Sequence, residues 1–213
     1  MYRMSRRRKP AGRGHALRII GGQWRGRRIP LPGDAPVRPT GDRIRETLFN
    51  WLAPVVPGAR CLDLFAGTGA LGLEALSRGA ASVCFVEKNP RAAAGIEQSL
   101  QQFDAGSGEV RCMDALSYLR GPAQPVDIVF LDPPFDDGDL ENLCKLLDDG
   151  WLAPQARVYL EMSRDRAFPV LPAGWSVMRD KKAGQVRYAL AGHTMADDGV
   201  DTDADRRNVP GHL

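Results

Sequence analysis

The sequence predicts an α/β fold with a mostly parallel, seven-stranded sheet that ends in an antiparallel hairpin. Short apolar strands alternate with amphipathic helices from residue 59 onward, which is the pattern of βαβ units. A glycine-rich turn follows the first of these strands, and a short polar segment separates the last two. The chain has 213 residues, which is enough for one domain with a complete hydrophobic core.

Five apolar segments are the predicted parallel strands: 60–65, 82–87, 109–112, 128–131 and 156–161. The helices between them are predicted to end near Ser77, Phe103, Tyr118 and Leu147. Segments 175–179 and 185–190 form the closing hairpin, because residues 180–184 between them have the composition of a turn. This main domain is predicted to span residues 58–191.

Residues 16–57 are predicted to form a smaller extension in front of the main domain. Segments 17–20 and 27–31 flank a Gly21-Gly22 pair and predict a β-hairpin whose loop carries Trp24. Trp24 either stacks on a nucleic-acid base or covers the core. Apolar residues then recur at helical spacing and predict an amphipathic helix: Ile44, Leu48, Trp51 and Leu52.

Charge is distributed unevenly along the chain. Residues 1–45 hold thirteen Lys or Arg against two Asp, a net of +11, and the remainder carries −8, which together give the overall +3. A basic N-terminal part on an acidic body predicts a polyanionic partner, although a merely solvated or processed tail would also be basic. The arm 1–15 and the acidic tail 192–213 are predicted to be disordered.

Several classes of protein and chemistry are not expected. No apolar run approaches the ~20 residues that cross a bilayer, and the arginine-rich start has no hydrophobic segment behind it, so we expect a cytoplasmic protein. The four cysteines are widely spaced and are expected to be structural thiols. All three histidines fall in predicted tails, which argues against a histidine base or a metal site. A monomer is the default expectation.

Acidic residues at strand ends and the glycine turn predict a nucleoside cofactor. Gly67, Gly69 and Gly72 match the dinucleotide fingerprint, but Asp63 would place a negative charge near any phosphate. A carboxylate there suits a cationic ligand such as the sulfonium of S-adenosylmethionine. Glu87 ends the second strand, where it can accept bonds from ribose hydroxyls, and Asp114 follows the third strand near the expected adenine amino group.

The segment Asp132-Pro-Pro-Phe135 carries the expected chemistry, because it leaves the carboxyl end of a buried strand as a stiff turn. If Asp132 and a proline carbonyl each accept one N–H of a base amine, the lone pair of that nitrogen is directed at the methyl carbon. The same acceptors stabilise positive charge that develops on the nitrogen. Phe135 would stack on the base, which must be unpaired or flipped.

Three segments resemble the RsmD-type bacterial 16S rRNA (guanine-N2)-methyltransferases: 38–46, 63–69 and 132–135. The resemblance covers residues 17–190. It implies a class I S-adenosylmethionine-dependent methyltransferase fold, S-adenosylmethionine as the methyl donor, and one guanine of 16S rRNA in the 30S ribosomal subunit as the acceptor. It also implies that the basic N-terminal part helps to dock the subunit.

The motifs and the resemblance together assign the site residues by their positions in this sequence. The acceptor-amine site comprises Asp132, Pro133, Pro134 and Phe135. The cofactor-binding residues are Asp63, Phe65, Ala66, Gly67, Thr68, Gly69, Glu87, Lys88, Asp114 and Ala115. The residues assigned to RNA binding are Arg25, Arg27, Arg38, Thr40, Arg43 and Arg45. No metal is expected.

Three other functions are compatible with parts of the sequence. A DNA adenine-N6 or cytosine-N4 methyltransferase shares the Asp-Pro-Pro-Phe motif, although the chain leaves no room for a separate sequence-reading domain. A nicotinamide-dependent oxidoreductase would use the glycine turn. A non-catalytic RNA-binding assembly factor would not need intact acids at four strand ends.

Overall fold

A computed structural model describes residues 17–29, 41–134 and 139–193. The described helices are α1 (Asp42–Leu52), α2 (Ala70–Ser77), α3 (Pro90–Phe103), α4 (Ala115–Leu119) and α5 (Leu140–Asp148). The described strands are β1 (Arg60–Asp63), β2 (Ser82–Val86), β3 (Gly108–Arg111), β4 (Val126–Leu131), β5 (Leu152–Ser163), β6 (Trp175–Ala183) and β7 (Val186–His193). Three residues with predicted roles, Arg38, Thr40 and Phe135, lie outside the described residues.

The strands form one sheet in the order β3-β2-β1-β4-β5-β7-β6. The first five strands in chain order are parallel, while β7 lies antiparallel between β5 and β6. The predicted fold class, a mostly parallel seven-stranded sheet with a C-terminal antiparallel hairpin, is confirmed. Because β1 and β4 are parallel neighbours in the centre of the sheet, their carboxyl ends lie side by side in the middle of one sheet edge.

The closing hairpin has a tighter turn than the sequence predicts. Strand β6 continues through Asp180–Ala183, a stretch that the sequence assigns to the turn, and the connection is reduced to Gly184-Gln185. Arg187 on β7 pairs with Asp180 through two hydrogen bonds and so favours the longer strand. Gly184 has a φ of 58°, which suits a two-residue turn.

Apolar side chains form a layer on each face of the sheet. Helices α1, α2 and α3 pack on one face around residues such as Phe130, and α4 and α5 pack on the other around residues such as Leu131. Phe130 and Leu131 are neighbours in β4 and point to opposite faces, as the period of a strand requires. Among the described residues, none of the helices has the length and apolar character needed to cross a membrane.

The N-terminal extension is fastened to α2. The predicted hairpin is present as a single antiparallel bridge between Arg18 and Arg28, which is less pairing than the sequence indicates. The chain approaches α2 so closely that a Cβ on Gly22 would lie 1.9 Å from the Ser77 carbonyl oxygen. Trp24 is buried and stacks on Phe103 with 5.1 Å between ring centroids, so it covers the core and does not present its ring to a base.

Strand β7 extends two residues into the predicted C-terminal tail. Gly192 pairs with Ser176, and His193 pairs with Trp175. The Trp175 and His193 rings lie 5.9 Å apart, which gives the end of the strand a side-chain contact. Strand β7 therefore ends at His193, two residues beyond the boundary that the sequence predicts for the main domain.

Candidate active site

A cavity of about 810 Å³ opens at the carboxyl ends of the five parallel strands. Its size lies within the range of small-molecule sites. The lining includes an acidic residue near the carboxyl end of each of the five strands, either in the strand or shortly after it. In sheet order from β3 to β5 these are Asp114, Glu87, Asp63, Asp132 and Glu161. The first four acids are those that the sequence predicts, so the sheet brings all four to one site.

The glycine turn after β1 exposes backbone to the cavity. Gly67 and Gly69 have φ values of 55° and 76°, which side-chain-bearing residues rarely adopt. Gly72 serves packing instead, because a Cβ there would lie 2.2 Å from the Phe85 ring. The three glycines of the motif thus allow a sharp turn and let α2 lie close to the sheet.

Asp63 is 2% exposed and receives a hydrogen bond from the Gly72 N–H at 3.1 Å. Burial raises the pKa of its carboxyl to about 7, and the negative charges of Asp132 and Glu87 also raise it, against the lowering effect of backbone N–H donors. A cationic ligand in the cavity would relieve this repulsion. The site therefore favours a positively charged group near Asp63.

The other two cofactor acids are held by backbone groups. Glu87 accepts hydrogen bonds from the Gly67 N–H at 2.8 Å and the Asn89 N–H at 2.7 Å, so it fixes the glycine turn to the end of β2. Asp114 caps α4 by accepting the Ser117 N–H at 3.1 Å. Both carboxylates are thereby held in place at the cavity wall.

The remaining residues that the sequence assigns to cofactor binding also line the cavity, with the exception of Gly69. Phe65, Ala66, Thr68, Lys88 and Ala115 all line the cavity. Gly69 does not line it and instead stands at the N-terminal cap of α2.

The acceptor end of the cavity is formed where β4 stops. Asp132 is half-buried, Pro133 is buried and Pro134 is exposed, and all three line the cavity. The same cavity therefore contacts the glycine turn and the Asp132-Pro133-Pro134 segment. This arrangement can hold a cofactor and an acceptor group side by side.

The sequence analysis did not predict all of the lining, and Glu161 and the Gly184-Gln185 turn are two of the parts that it missed. Glu161 is 5% exposed, lines the cavity and accepts a hydrogen bond from the Tyr159 hydroxyl at 2.6 Å. The signal for it was present, because Glu161 follows the apolar stretch of β5 just as Asp132 follows β4. The Gly184-Gln185 turn also lines the cavity, and no local pattern marks it.

The arginines assigned to RNA binding have different environments. Arg25 and Arg43 are exposed, and Arg43 lies between the cavity-lining residues Gly41 and Ile44. Arg27 is exposed but bonds to the Gln102 carbonyl at 2.6 Å.

Arg45 is 0% exposed, so its position does not support a contact with RNA. It donates to the Arg18 carbonyl at 2.9 Å and to Asp42 at 2.6 Å, so it joins α1 to the segment around Arg18 within the N-terminal extension. A buried guanidinium of this kind has a structural role.

Within the described ranges, no group of three or more His, Cys, Asp or Glu residues is arranged to hold a metal ion. His193 is the one histidine in the described part of the chain, and it does not line the cavity. Cys61, Cys84, Cys112 and Cys144 are free thiols.

Comparisons with known proteins identify the family. The model of the family described as conserved hypothetical protein 95 matches residues 17–192. Ribosomal RNA small subunit methyltransferase D of Escherichia coli is 51% identical over 175 residues, covering 82% of this chain and 88% of that protein. The Haemophilus influenzae protein of the same name is 43% identical over 179 residues, covering 82% and 92%.

A solved structure shows the same fold. The Escherichia coli protein YhhF, described as a methyltransferase, is 47% identical, has a TM-score of 0.78, and is matched over 84% of this chain and 99% of its own. The sheet order and this likeness identify the fold as that of class I S-adenosylmethionine-dependent methyltransferases. The chain belongs to the conserved hypothetical protein 95 family, the family of ribosomal RNA small subunit methyltransferase D.

Proposed function

We propose that this protein transfers a methyl group from S-adenosylmethionine to the exocyclic N2 amine of a guanine in 16S rRNA, with the 30S ribosomal subunit as its substrate in the cytoplasm. The observation that carries the proposal is the single cavity that joins the glycine turn to Asp132-Pro133-Pro134. Family membership supports the methyl donor and the small-subunit rRNA. The acceptor-amine motif supports methylation at nitrogen.

The residues of the cavity fit S-adenosylmethionine. This cofactor supplies an electrophilic methyl group on a positively charged sulfur, and the buried carboxyl of Asp63 favours such a charge. The backbone at Gly67 can approach a ligand closely because it has no side chain. Glu87 would accept bonds from ribose hydroxyls, and Asp114 would contact the adenine amino group.

Asp132 and the Pro133 carbonyl would orient the guanine amine. The lone pair of such an amine is delocalised into the ring, so the nitrogen is a poor nucleophile. It becomes reactive when its N–H groups are held so that the lone pair points away from the ring system and towards the methyl carbon. Two acceptors that each take one N–H provide that orientation and stabilise the charge that develops on the nitrogen. The product proton can leave to Asp132 or to water, and no histidine is needed. Phe135 is proposed to stack on the base.

The basic N-terminal part is proposed to dock the RNA. The exposed Arg25 and Arg43, together with Arg38, Thr40 and the arm 1–15, would contact phosphates near the cavity mouth. Phosphate contacts make affinity depend on salt, so deletion of residues 1–15 should weaken the salt dependence of binding to 30S subunits. An unchanged slope would remove the arm from the docking surface.

The experiment that tests the function is methyl transfer from radiolabelled S-adenosylmethionine to 30S subunits that lack their own modification, with duplex DNA in parallel. We expect label in 16S rRNA that is released on digestion as N2-methylguanosine. Label in DNA alone would establish a DNA methyltransferase instead. Cofactor binding with no transfer to either substrate would favour the non-catalytic assembly factor.

The acceptor site is tested by replacing Asp132→Ala. Turnover should fall by about 10²–10³-fold, as expected when one transition-state contact is removed. Binding of S-adenosylmethionine, measured by calorimetry, should be retained because Asp63 and Glu87 are unchanged. Turnover comparable to that of the wild type would refute the assignment of Asp132.

A further inference from the structure

We propose that Glu161 selects guanine by accepting the N1–H of the target base, while Asp132 holds the adjacent N2 amine. The inference rests on the proposed function, since it concerns the acceptor half of the same site. It adds a specificity residue to a motif that does not distinguish one base amine from another. Its geometric basis is the adjacency of two carboxylates on neighbouring strands.

The register of the sheet puts the two side chains next to each other. Leu131 of β4 pairs with Leu160 of β5, so Asp132 and Glu161 are the next residues along two parallel neighbours. Neighbouring strands lie ~4.8 Å apart, which lets two acceptors reach adjacent atoms on one edge of a base. Both side chains line the cavity.

The carboxylate of Glu161 is held in its orientation by a hydrogen bond from Tyr159. The Tyr159 hydroxyl lies on the same face of β5 and donates to Oε2 of Glu161 at 2.6 Å. Tyr159 is itself fully buried, and burial together with the charges of Glu161 and Asp132 keeps its pKa well above the ordinary value. The hydroxyl therefore stays protonated and remains a donor to the carboxylate.

The chemistry of the base edge separates guanine from the alternatives. Guanine carries an N1–H donor beside its exocyclic amine, whereas adenine and cytosine carry an unprotonated ring nitrogen beside theirs. A carboxylate attracts the first arrangement and repels the lone pair of the second. Sites that are built to bond a donor reject analogues that lack it, because the acceptor oxygen then faces a lone pair and not an N–H. Glu161 thus favours guanine N2 over adenine N6 and cytosine N4.

A purely structural role is the competing explanation. Glu161 could serve only to satisfy the Tyr159 hydroxyl, which would otherwise be a buried donor without an acceptor. Glu161→Gln distinguishes the two roles, since glutamine keeps an oxygen that accepts from Tyr159 and has nearly the same volume. Tyr159→Phe is the matched variant, because it removes the hydrogen bond and leaves the carboxylate.

The test uses the full-length protein and reconstituted small subunits whose target position holds either guanine or 2-aminopurine. The 2-aminopurine base keeps the exocyclic 2-amine but has no N1–H. The measured quantity is the ratio of kcat/KM for guanine to kcat/KM for 2-aminopurine. The ratio cancels differences in folding and in cofactor binding among the variants.

We expect Glu161→Gln to lower the ratio by about 10- to 100-fold, the usual discrimination of one good base-edge contact. The lower ratio arises because glutamine can donate to the unprotonated N1. Tyr159→Phe should lower kcat for guanine, because Glu161 loses the hydrogen bond that orients it. The fold-change in the ratio should be smaller than this fold-change in kcat, because the carboxylate is still present.

An unchanged ratio in Glu161→Gln would overturn the inference while leaving the proposed function intact. Absence of label on guanine with the wild-type protein would instead overturn the proposed function.

Discussion

Glu74 is predicted to fasten the N-terminal extension to the main domain, and Glu74→Gln should be strongly destabilising. Its carboxylate is fully buried and accepts the Ile20 N–H at 2.7 Å, the Gly21 N–H at 2.8 Å and the Arg78 Nε–H at 2.7 Å. Arg45 Nη1 lies 3.7 Å from the same carboxylate. Within the described residues, Arg45 Nε and Nη1 make no hydrogen bond. Arg45 Nη2 pairs with the exposed Asp42 at 2.6 Å, and Glu74 supplies the buried counter-charge.

The size of the destabilisation follows from the hydrogen bonds and the charge that glutamine cannot supply. Its single oxygen can serve one of the two backbone donors, while its amide nitrogen faces the other, and an unsatisfied buried N–H costs about 1–3 kcal/mol. Removing one partner of a buried ion pair costs about 3–5 kcal/mol. Because these losses overlap, we expect the free energy of unfolding to fall by about 3–5 kcal/mol and the melting temperature to fall by about 10 °C.

The assay is urea-induced unfolding followed by tryptophan fluorescence and circular dichroism. Glu141→Gln is the matched control, because Glu141 pairs with Lys145 at 2.8 Å on an exposed helix face. Because solvent screens that exposed pair, its loss should change the free energy of unfolding far less than the loss of the buried Glu74 carboxylate. Equal midpoints for the Glu74 and Glu141 variants would refute the reasoning that the buried network holds the extension in place.

Three further predictions concern the glycine turn, the buried acid and the RNA surface. Gly72→Ala should lower the free energy of unfolding by about 1–3 kcal/mol, because its Cβ would overlap the Phe85 ring, while Gly106→Ala, whose Cβ meets open space, should be neutral in the same urea titration. Asp63 keeps its proton up to about pH 7 in the folded protein but loses it near 3.8 in the unfolded chain, so the free energy of unfolding should fall as pH rises between these values. Asp63→Asn should remove that fall, which can be as steep as about 1.4 kcal/mol per pH unit, and urea titrations at several pH values would measure it. Arg43→Gln should reduce the salt slope of RNA binding by about 1. The same change at the exposed Arg120, which follows α4 on the opposite face of the sheet, should leave the slope unaltered in filter-binding measurements.

Local patterns in the sequence were sufficient for the parallel strands, the glycine turn and four of the five acids at the carboxyl ends of these strands. The apolar segment 128–131 followed by Asp132-Pro133-Pro134 predicts a buried strand and its end without knowledge of any distant residue. The same holds for Asp63 at the end of β1. The sheet then had to bring these ends together, because parallel strands with helical crossovers place their carboxyl ends at one edge.

Tertiary structure decided the features that depend on contacts between distant segments. Arg45 belongs to a basic sequence motif, yet it is buried because α1 packs beside Arg18 and Glu74. Trp24 is a cover for the core because Phe103, far along the chain, lies beneath it.

Glu161 shows the same limit at the active site. The sequence by itself determined that an acid follows an apolar strand, but the pairing of β4 with β5 decided that this acid stands beside Asp132. Strand order and register are set by the packing of the whole sheet, and no local periodicity encodes which strand will be the neighbour of another.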